Sequence, residues 1–450
     1  MKTIKMFILV LLSSFIFFSC KKFLDEKTRV TLAVPETLQD LQAILDSYSL
    51  INTFDASSGD VSAGDGYVTD ADFLNRADYE QRLYTWQNSN VYASGDNDWT
   101  YAYLQIYRAN TVIELTRDME PAVSEQQTWN DVAGQGFFLR AKGHALMVGL
   151  HSEAWDPSRS GSLGIPLKLS TNFNEISTRN TLAETYDQII SDLKMAINLL
   201  PNLPLATSRS SKPAAYGLLA RTYLFMRDYT NAYLYADSSL QLNSYLMDYN
   251  SLDSATAYPI SQTNEEVMYS STMRIYPIHN VTRSKVVPSL YSLYNNNDLR
   301  KALFFRRIVD GVYAFRGSYF GSSSYFCGIA TDEMYLIKAE TACRLGNNNL
   351  ALSTLNALLQ MRYRSGFFTA VNETNSERLL DIILDERRKE LLFRGLTWSD
   401  IKRLNMEGRG INLNRTVNGT QYVLEANSPR FAIPIPEQVL VGGNIVQNIY

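Results

Sequence analysis

Residues 214–240, AAYGLLARTYLFMRDYTNAYLYADSSL, constrain the fold more than any other stretch. They read as two amphipathic helices joined by a tight turn at Arg227, Asp228 and Tyr229. Tyr216, Leu219, Ala220 and Tyr223 recur at helical spacing on one face, and Ala232 and Ala236 do so on the second helix. Small side chains at Ala220 and Ala232 let two backbones approach where they cross, while the Tyr216 and Tyr223 rings fill the groove beside them. This is the tetratricopeptide pattern, whose period is about 34 residues. One such hairpin cannot bury its apolar face alone, so others are expected to stack on it. Residues 332–361 supply a second clean copy, with Ala339 and Ala351 at the same spacing and a turn at Gly346, Asn347 and Asn348.

Helical periodicity also marks 36–47, where Leu38, Leu41, Ile44 and Leu45 share a face, and 99–119, 124–154, 181–200 and 376–393. Ala141 and Ala145 are the small residues of the third of these, and Thr181 with Glu184 forms a capping box for the fourth. A loop over 157–179 separates the two helices of one hairpin. Two longer stretches lose the period. Residues 52–98 are rich in Gly, Asp, Ser and Asn, with Tyr67, Tyr79, Tyr84, Trp86 and Tyr92 among them. Residues 245–325 carry a second aromatic set, with a short strand expected at 312–315. Structureless connections this long are usually functional. The expected fold is all-α: a tetratricopeptide-like helical repeat scaffold (about 99–154, 181–240 and 331–404) whose irregular insertions (about 52–98 and 245–325) form a ligand-binding half. The tail, 409–450, is expected to wrap the surface.

The first residues are a targeting segment. Lys2 and Lys5 precede an apolar run over 6–18, shorter than the roughly 20 residues of a membrane span. The run ends in Phe17, Phe18, Ser19 and Cys20, and a small residue before such a cysteine is the bacterial lipoprotein pattern. The expected division is a signal peptide (1–19), a lipidated tether beginning at Cys20 (20–35) and a single domain (36–450) anchored to a membrane through acylated Cys20. Cleavage moves the formal charge from −4 to −6, and no basic stripe with interleaved rings is present, which argues against nucleic acid. Tyrosine, at 28 residues, outnumbers phenylalanine at 20, which points to surfaces meeting polar, flat ligands. Cys327 and Cys343 make no disulfide framework, and Cys343 sits on an apolar helical face.

Asp385, Glu386, Arg387, Arg388, Lys389, Glu390 and Leu391, followed by Phe393, Arg394, Gly395 and the run Trp398 to Arg403, resemble the signature helix of the SusD/RagB family. Three other stretches agree: Phe138, Leu139, Arg140 and Ala141 leading to Gly164, Ile165, Pro166 and Leu167; the segment Cys20 to Asp25; and Pro434, Ile435, Pro436 with Gln447, Asn448 and Tyr450. The resemblance spans nearly the whole mature chain. It implies an outer-membrane nutrient-binding lipoprotein of Bacteroidota, lipid-anchored and facing the exterior. Such a protein captures oligosaccharide and passes it to a SusC-like TonB-dependent transporter. In the RagB branch the ligand is peptide.

Sugars are held by rings against their C–H faces and by planar polar groups on their hydroxyls. The family's binding surface involves the early loop and the mid-chain insertion, here about 65–99 and 274–325. Trp86, Tyr67, Tyr276 and Tyr319 are the aromatic candidates, and Arg82, Asp72 and Asn97 the polar ones. Trp99, at a helix start, is expected to pack beneath it. The charges at 386–390 read as structural, with Glu386–Lys389 and Arg387–Glu390 pairing at i,i+3, and Trp398 reads as a core anchor. His144 and His151 lack a third ligand for a metal. Asp60, Asp65, Asp70 and Asp72 miss calcium-loop spacing, with a structural calcium ion left as an alternative. No nucleophile elbow or phosphate loop is present, so no catalytic residue and no cofactor are expected. The competing readings are a peptide binder, a surface glycoside hydrolase with two carboxylates across a cleft, and a scaffold with an open apolar groove.

Overall fold

The hairpin over 214–240 forms as its spacing dictates. In the computed structural model, which describes residues 35–450, helices α7 (Lys212–Phe225) and α8 (Tyr229–Leu242) pack antiparallel around Arg227, which turns the chain at a φ of 60°. Ala220 and Ala232 are fully buried. The second copy is α9 (Thr331–Arg344) and α10 (Asn348–Gln360), with Ala339 and Ala351 equally buried and Gly346 at the turn with a φ of 82°. The signal peptide, Cys20 and the tether up to residue 34 lie outside the described residues.

Before these come α1 (Leu38–Leu45), α2 (Ser58–Ser62), α3 (Asp78–Tyr84), α4 (Asp98–Arg117), α5 (Gln126–His151) and α6 (Leu182–Leu199); after them come α11 (Ser376–Glu390) and α12 (Thr397–Asn405). Helices α5 to α10 each pack on the one before, as a repeat solenoid requires. Thr181 and Glu184 form the expected capping box on α6. Between α4 and α5 the close approach rests on glycine. A Cβ at Gly143 would sit 2.6 Å from Ile106, whereas Ala145 is only half-buried.

The described residues contain four two-stranded antiparallel ladders, the last of them in the tail. β1 (Gly66–Tyr67) pairs β3 (Lys285–Val286), joining the two insertions, and β2 (Val267–Tyr269) pairs β6 (Ile329–Ala330). β4 (Phe305–Val309) and β5 (Val312–Phe315) make one hairpin, which includes the strand expected at 312–315. β7 (Leu413–Val417) and β8 (Thr420–Leu424) make another, and Leu413, Val417 and Leu424 bury it against the main core.

Trp398 of α12, 1% exposed, inserts between α5 and α7, and the space left there is a cavity of about 80 Å³. Asp60 lines it, accepting one backbone N–H from Gly395 at 3.2 Å, and burial pushes its carboxyl up to about 7.

Helix α11 turns its charged face inward. Arg300, with no exposed surface, donates to Asp298, Glu386 and Glu390, while Arg362 donates to Glu390 and Glu266. The Glu386–Lys389 pair is present at 2.7 Å. The expected Arg387–Glu390 pair is not: Glu390 takes Arg300 and Arg362, and Arg387 reaches Asp400 at 2.8 Å. Both side chains are buried, and each finds its opposite charge on a neighbouring segment that packs over this face: Arg300 and Arg362 for Glu390, Asp400 for Arg387.

Candidate ligand-binding surface

The two insertions meet beside the N-terminus of α4. There Asp55 and Met273 bridge, and Arg274 donates its backbone N–H to Asp55 at 2.8 Å. Asn97 caps α4, accepting from the Thr100 N–H at 3.0 Å and donating to the Ala93 carbonyl at 2.8 Å. The cap fixes the helix phase. Trp99 points inward, 6% exposed and edge-on to His151 at 5.1 Å, as expected of a residue packed beneath its helix. Tyr101, two residues on and so about 200° round the helix, points outward.

Tyr101 stacks on Phe54 with ring centroids 4.4 Å apart and planes 12° from parallel, and both residues are half-buried. Asp96 stands at their edge. It pairs with Arg274 at 2.9 Å and also meets the Tyr101 hydroxyl, and these contacts, the Arg274 hydrogen bond foremost, hold its carboxyl below the usual range. Burial raises the Tyr101 phenol, and the Asp96 carboxylate adds to the rise. Tyr79, half-buried on α3, lies close enough to feel both charges. A second half-buried stack stands in the mid-chain insertion, where Tyr291 and Tyr313 lie 3.6 Å apart at 11° under the Lys301 ammonium.

Most residues singled out from sequence sit elsewhere, and the expectation that Trp86, Tyr276 and Tyr319 are open aromatic candidates is corrected. Trp86 is 4% exposed, donates its indole N–H to the Ser62 carbonyl at 2.9 Å and lies under Arg415. Tyr276 is buried beneath the Arg274 guanidinium. Tyr319 has no exposed surface and is covered by Arg394 at 4.0 Å. Asn97 is consumed by its cap. Arg82 ties its own loop, donating to the Ser89 carbonyl at 2.7 Å and to its hydroxyl at 2.9 Å. Asp72 accepts from Lys285 at 2.8 Å, and Tyr67, half-buried, pairs across β1 with Lys285. The reason is general: an irregular segment has no periodic face to bury, so its rings become its core. Phe54 and Tyr101 were not singled out. The signal for Tyr101 was its place two residues after a buried tryptophan on a capped helix.

The four aspartates disperse. Asp60 faces the internal cavity, Asp65 pairs with Arg388 at 2.7 Å, Asp70 accepts from the Asn418 N–H and Asp72 takes Lys285. Among the described residues no group of three or more His, Cys, Asp or Glu is placed to hold a metal ion, and no helix is long and apolar enough to cross a membrane. His144 and His151 are buried in α5. Cys327 and Cys343 are free thiols.

Two family models match the chain. One, described as starch-binding associating with outer membrane, covers residues 22–224; the other, the SusD family, covers 294–448. Among solved structures, a candidate sugar-binding protein from Bacteroides vulgatus shares 22% identity at a TM-score of 0.76, covering 92% of this chain and 99% of that one. A SusD superfamily protein from Bacteroides thetaiotaomicron shares 21% at 0.74, over 92% and 100%. A surface glycan-binding protein A from Bacteroides uniformis shares 16% at 0.68, over 92% and 99%. At these identities the likeness establishes the fold. No curated protein matches the chain.

Proposed function

Because the chain belongs to the SusD/RagB family, we propose that it is a lipid-anchored outer-membrane protein that captures oligosaccharide at the cell surface. It then passes the ligand unchanged to a SusC-like TonB-dependent transporter. Acylated Cys20 is the anchor.

The Phe54–Tyr101 stack edged by Asp96 and Arg274 carries this reading. Each ring holds the other in place, so a pyranose C–H face docks on an outer face of the stack with little side-chain entropy to lose. The buried Arg274 guanidinium fixes Asp96, whose side chain is 63% exposed, and leaves a carboxylate beside the rings to accept from adjacent hydroxyls. The chemistry is binding. Asp96 is kept ionised by its partners and makes a poor general acid.

The mature chain run through native gels containing soluble starch or other neutral polysaccharides tests the proposal. Retardation by at least one polysaccharide, lost in Phe54→Ala and Tyr101→Ala with melting temperature kept, is the expected result. Binding to a peptide pool alone would move the protein to the peptide-binding branch. Release of shortened products would make it a hydrolase.

A further inference from the structure

Helix α4 carries a second set of rings, separate from the surface at Phe54. Trp99, Tyr103 and Tyr107 stand four residues apart, which places them about 6 Å apart along one helix face. The Trp99 and Tyr103 rings lie 4.7 Å apart at 30°. Phe173, from the loop between α5 and α6, stacks on Tyr107 at 5.0 Å and 30°. The Tyr103 hydroxyl donates to the Pro166 carbonyl at 2.8 Å, fastening the ladder to that loop. With Ile445 these rings line a cavity of about 230 Å³.

Phe173 is 81% exposed. A ring held open to water over a preformed cavity gains apolar burial when an apolar face covers it. The same cavity is lined by Lys168, Asn172 and Ser177. Lys168 holds Glu175 loosely, at 3.4 Å to its carbonyl and 4.0 Å to its carboxylate. An amide, a hydroxyl and an ammonium together offer donors and acceptors beside an apolar floor.

We infer that this ladder is a second binding site, taking one neutral hexopyranose unit. Its C–H face lies on the exposed Phe173 ring, which Tyr107 backs, and its hydroxyls meet Asn172, Ser177 and Lys168. The cavity falls below the roughly 300–1,000 Å³ of drug-sized sites, which suits one ring and not a folded chain. The charge of Lys168 is offset by Glu175, so the site favours a neutral sugar. The inference rests on the proposed carbohydrate function for the class of ligand only; its residues are distinct from Phe54, Tyr101, Asp96 and Arg274. A second weak contact on one glycan raises avidity without any new contact at the first.

The full mature chain, labelled with fluorotryptophan, tests this by fluorine NMR, with the Trp99 resonance assigned through Trp99→Phe. Methyl glycosides of glucose, galactose and mannose are the titrants. The expected result is a saturable shift of the Trp99 resonance with at least one glycoside. Affinity should fall by about tenfold, 1.4 kcal/mol, in Phe173→Ala and also weaken in Asn172→Ala, while Phe54→Ala leaves it unchanged. A static Trp99 resonance with all three glycosides overturns the inference, as does a shift that survives Phe173→Ala. A shift with N-acetylphenylalaninamide but no glycoside overturns the sugar assignment. Polysaccharide retention through Phe54 is read separately: its loss with the Trp99 titration intact sinks the first proposal alone, and the converse sinks the second alone.

Discussion

The Tyr319 hydroxyl donates to the Glu266 carboxylate across 2.7 Å, and neither side chain has exposed surface. The same hydroxyl lies 2.7 Å from that of Tyr249, and Arg362 donates to Glu266 from the other side. Tyr319 is therefore part of the polar core that ties the mid-chain insertion to α11. Tyr319→Phe keeps the ring and removes one charge-assisted hydrogen bond, which costs about 1.5–3 kcal/mol. Urea unfolding should show that loss with polysaccharide retention unchanged. Lost retention at unchanged stability would put Tyr319 back among the ligand contacts.

Arg140 of α5 grips Asp192 of α6 with two hydrogen bonds, at 2.8 Å from Nε and 2.7 Å from Nη2, and both side chains are buried. Its Nη1 also donates to Asn110 of α4 at 3.1 Å, so one guanidinium holds three helices. Arg140→Met leaves a buried carboxylate unpaired and should cost about 3–5 kcal/mol. The double variant Arg140→Met with Asp192→Leu should recover most of that loss. Equal unfolding midpoints for the single and double variants would refute this account.

The helical part of the molecule was legible because small residues at fixed spacing leave few packings open. Ala220 with Ala232 and Ala339 with Ala351 all lie in hairpin cores. Thr181 and Glu184 marked a helix start from four residues alone. The candidate surface was less legible. Trp86 and Tyr319 share the composition of a ligand platform, yet their partners, Ser62 and Glu266, are 24 and 53 residues away in the chain. Nothing local distinguishes a ring that packs under such a loop from one that faces out. Arg387 and Glu390 failed for the same reason: their partners lie off the helix.

Stability should fall steeply in acid. Burial lowers His144, His151 and His279 to about 3, against about 6.5 in the unfolded chain. Between those values the unfolded state binds more protons, so the histidines' contribution is fully present above pH 6.5 and is lost as pH falls toward 3. Asp60 opposes this. Its carboxyl is raised to about 7, so the folded state binds the extra proton between about 4 and 7, and stability from this group declines as pH rises through that window. Asp60→Asn should therefore be more stable than the parent at pH 8 and lose stability more steeply between pH 6 and 4. Urea titrations at pH 4.5, 6 and 8 (about one unit or more apart) check both signs. A parent protein whose midpoint is flat from pH 6 to 4.5 would contradict the histidine account.

Gly164 is where the loop after α5 passes under the start of α6. Its N–H donates to the Asn180 carbonyl at 2.7 Å, and Arg179 returns a hydrogen bond to the Gly164 carbonyl at 2.7 Å. A Cβ there would meet Thr185 Oγ1 at 2.3 Å and the Thr181 carbonyl oxygen at 2.7 Å. The second clash is with backbone at the α6 cap, so no side-chain rotation relieves it. Gly164→Ala should cost about 1–3 kcal/mol, the usual range for overpacking, by pushing the loop away from the Thr181 cap. The same loop carries Pro166, which holds Tyr103, and Phe173, which covers Tyr107. Displacement should therefore weaken the Trp99 response to glycosides while leaving retention at Phe54 and Tyr101 intact. Gly164→Ala that melts with the parent protein would mean the loop yields freely, and the ladder pocket would then lack the rigid wall argued for it.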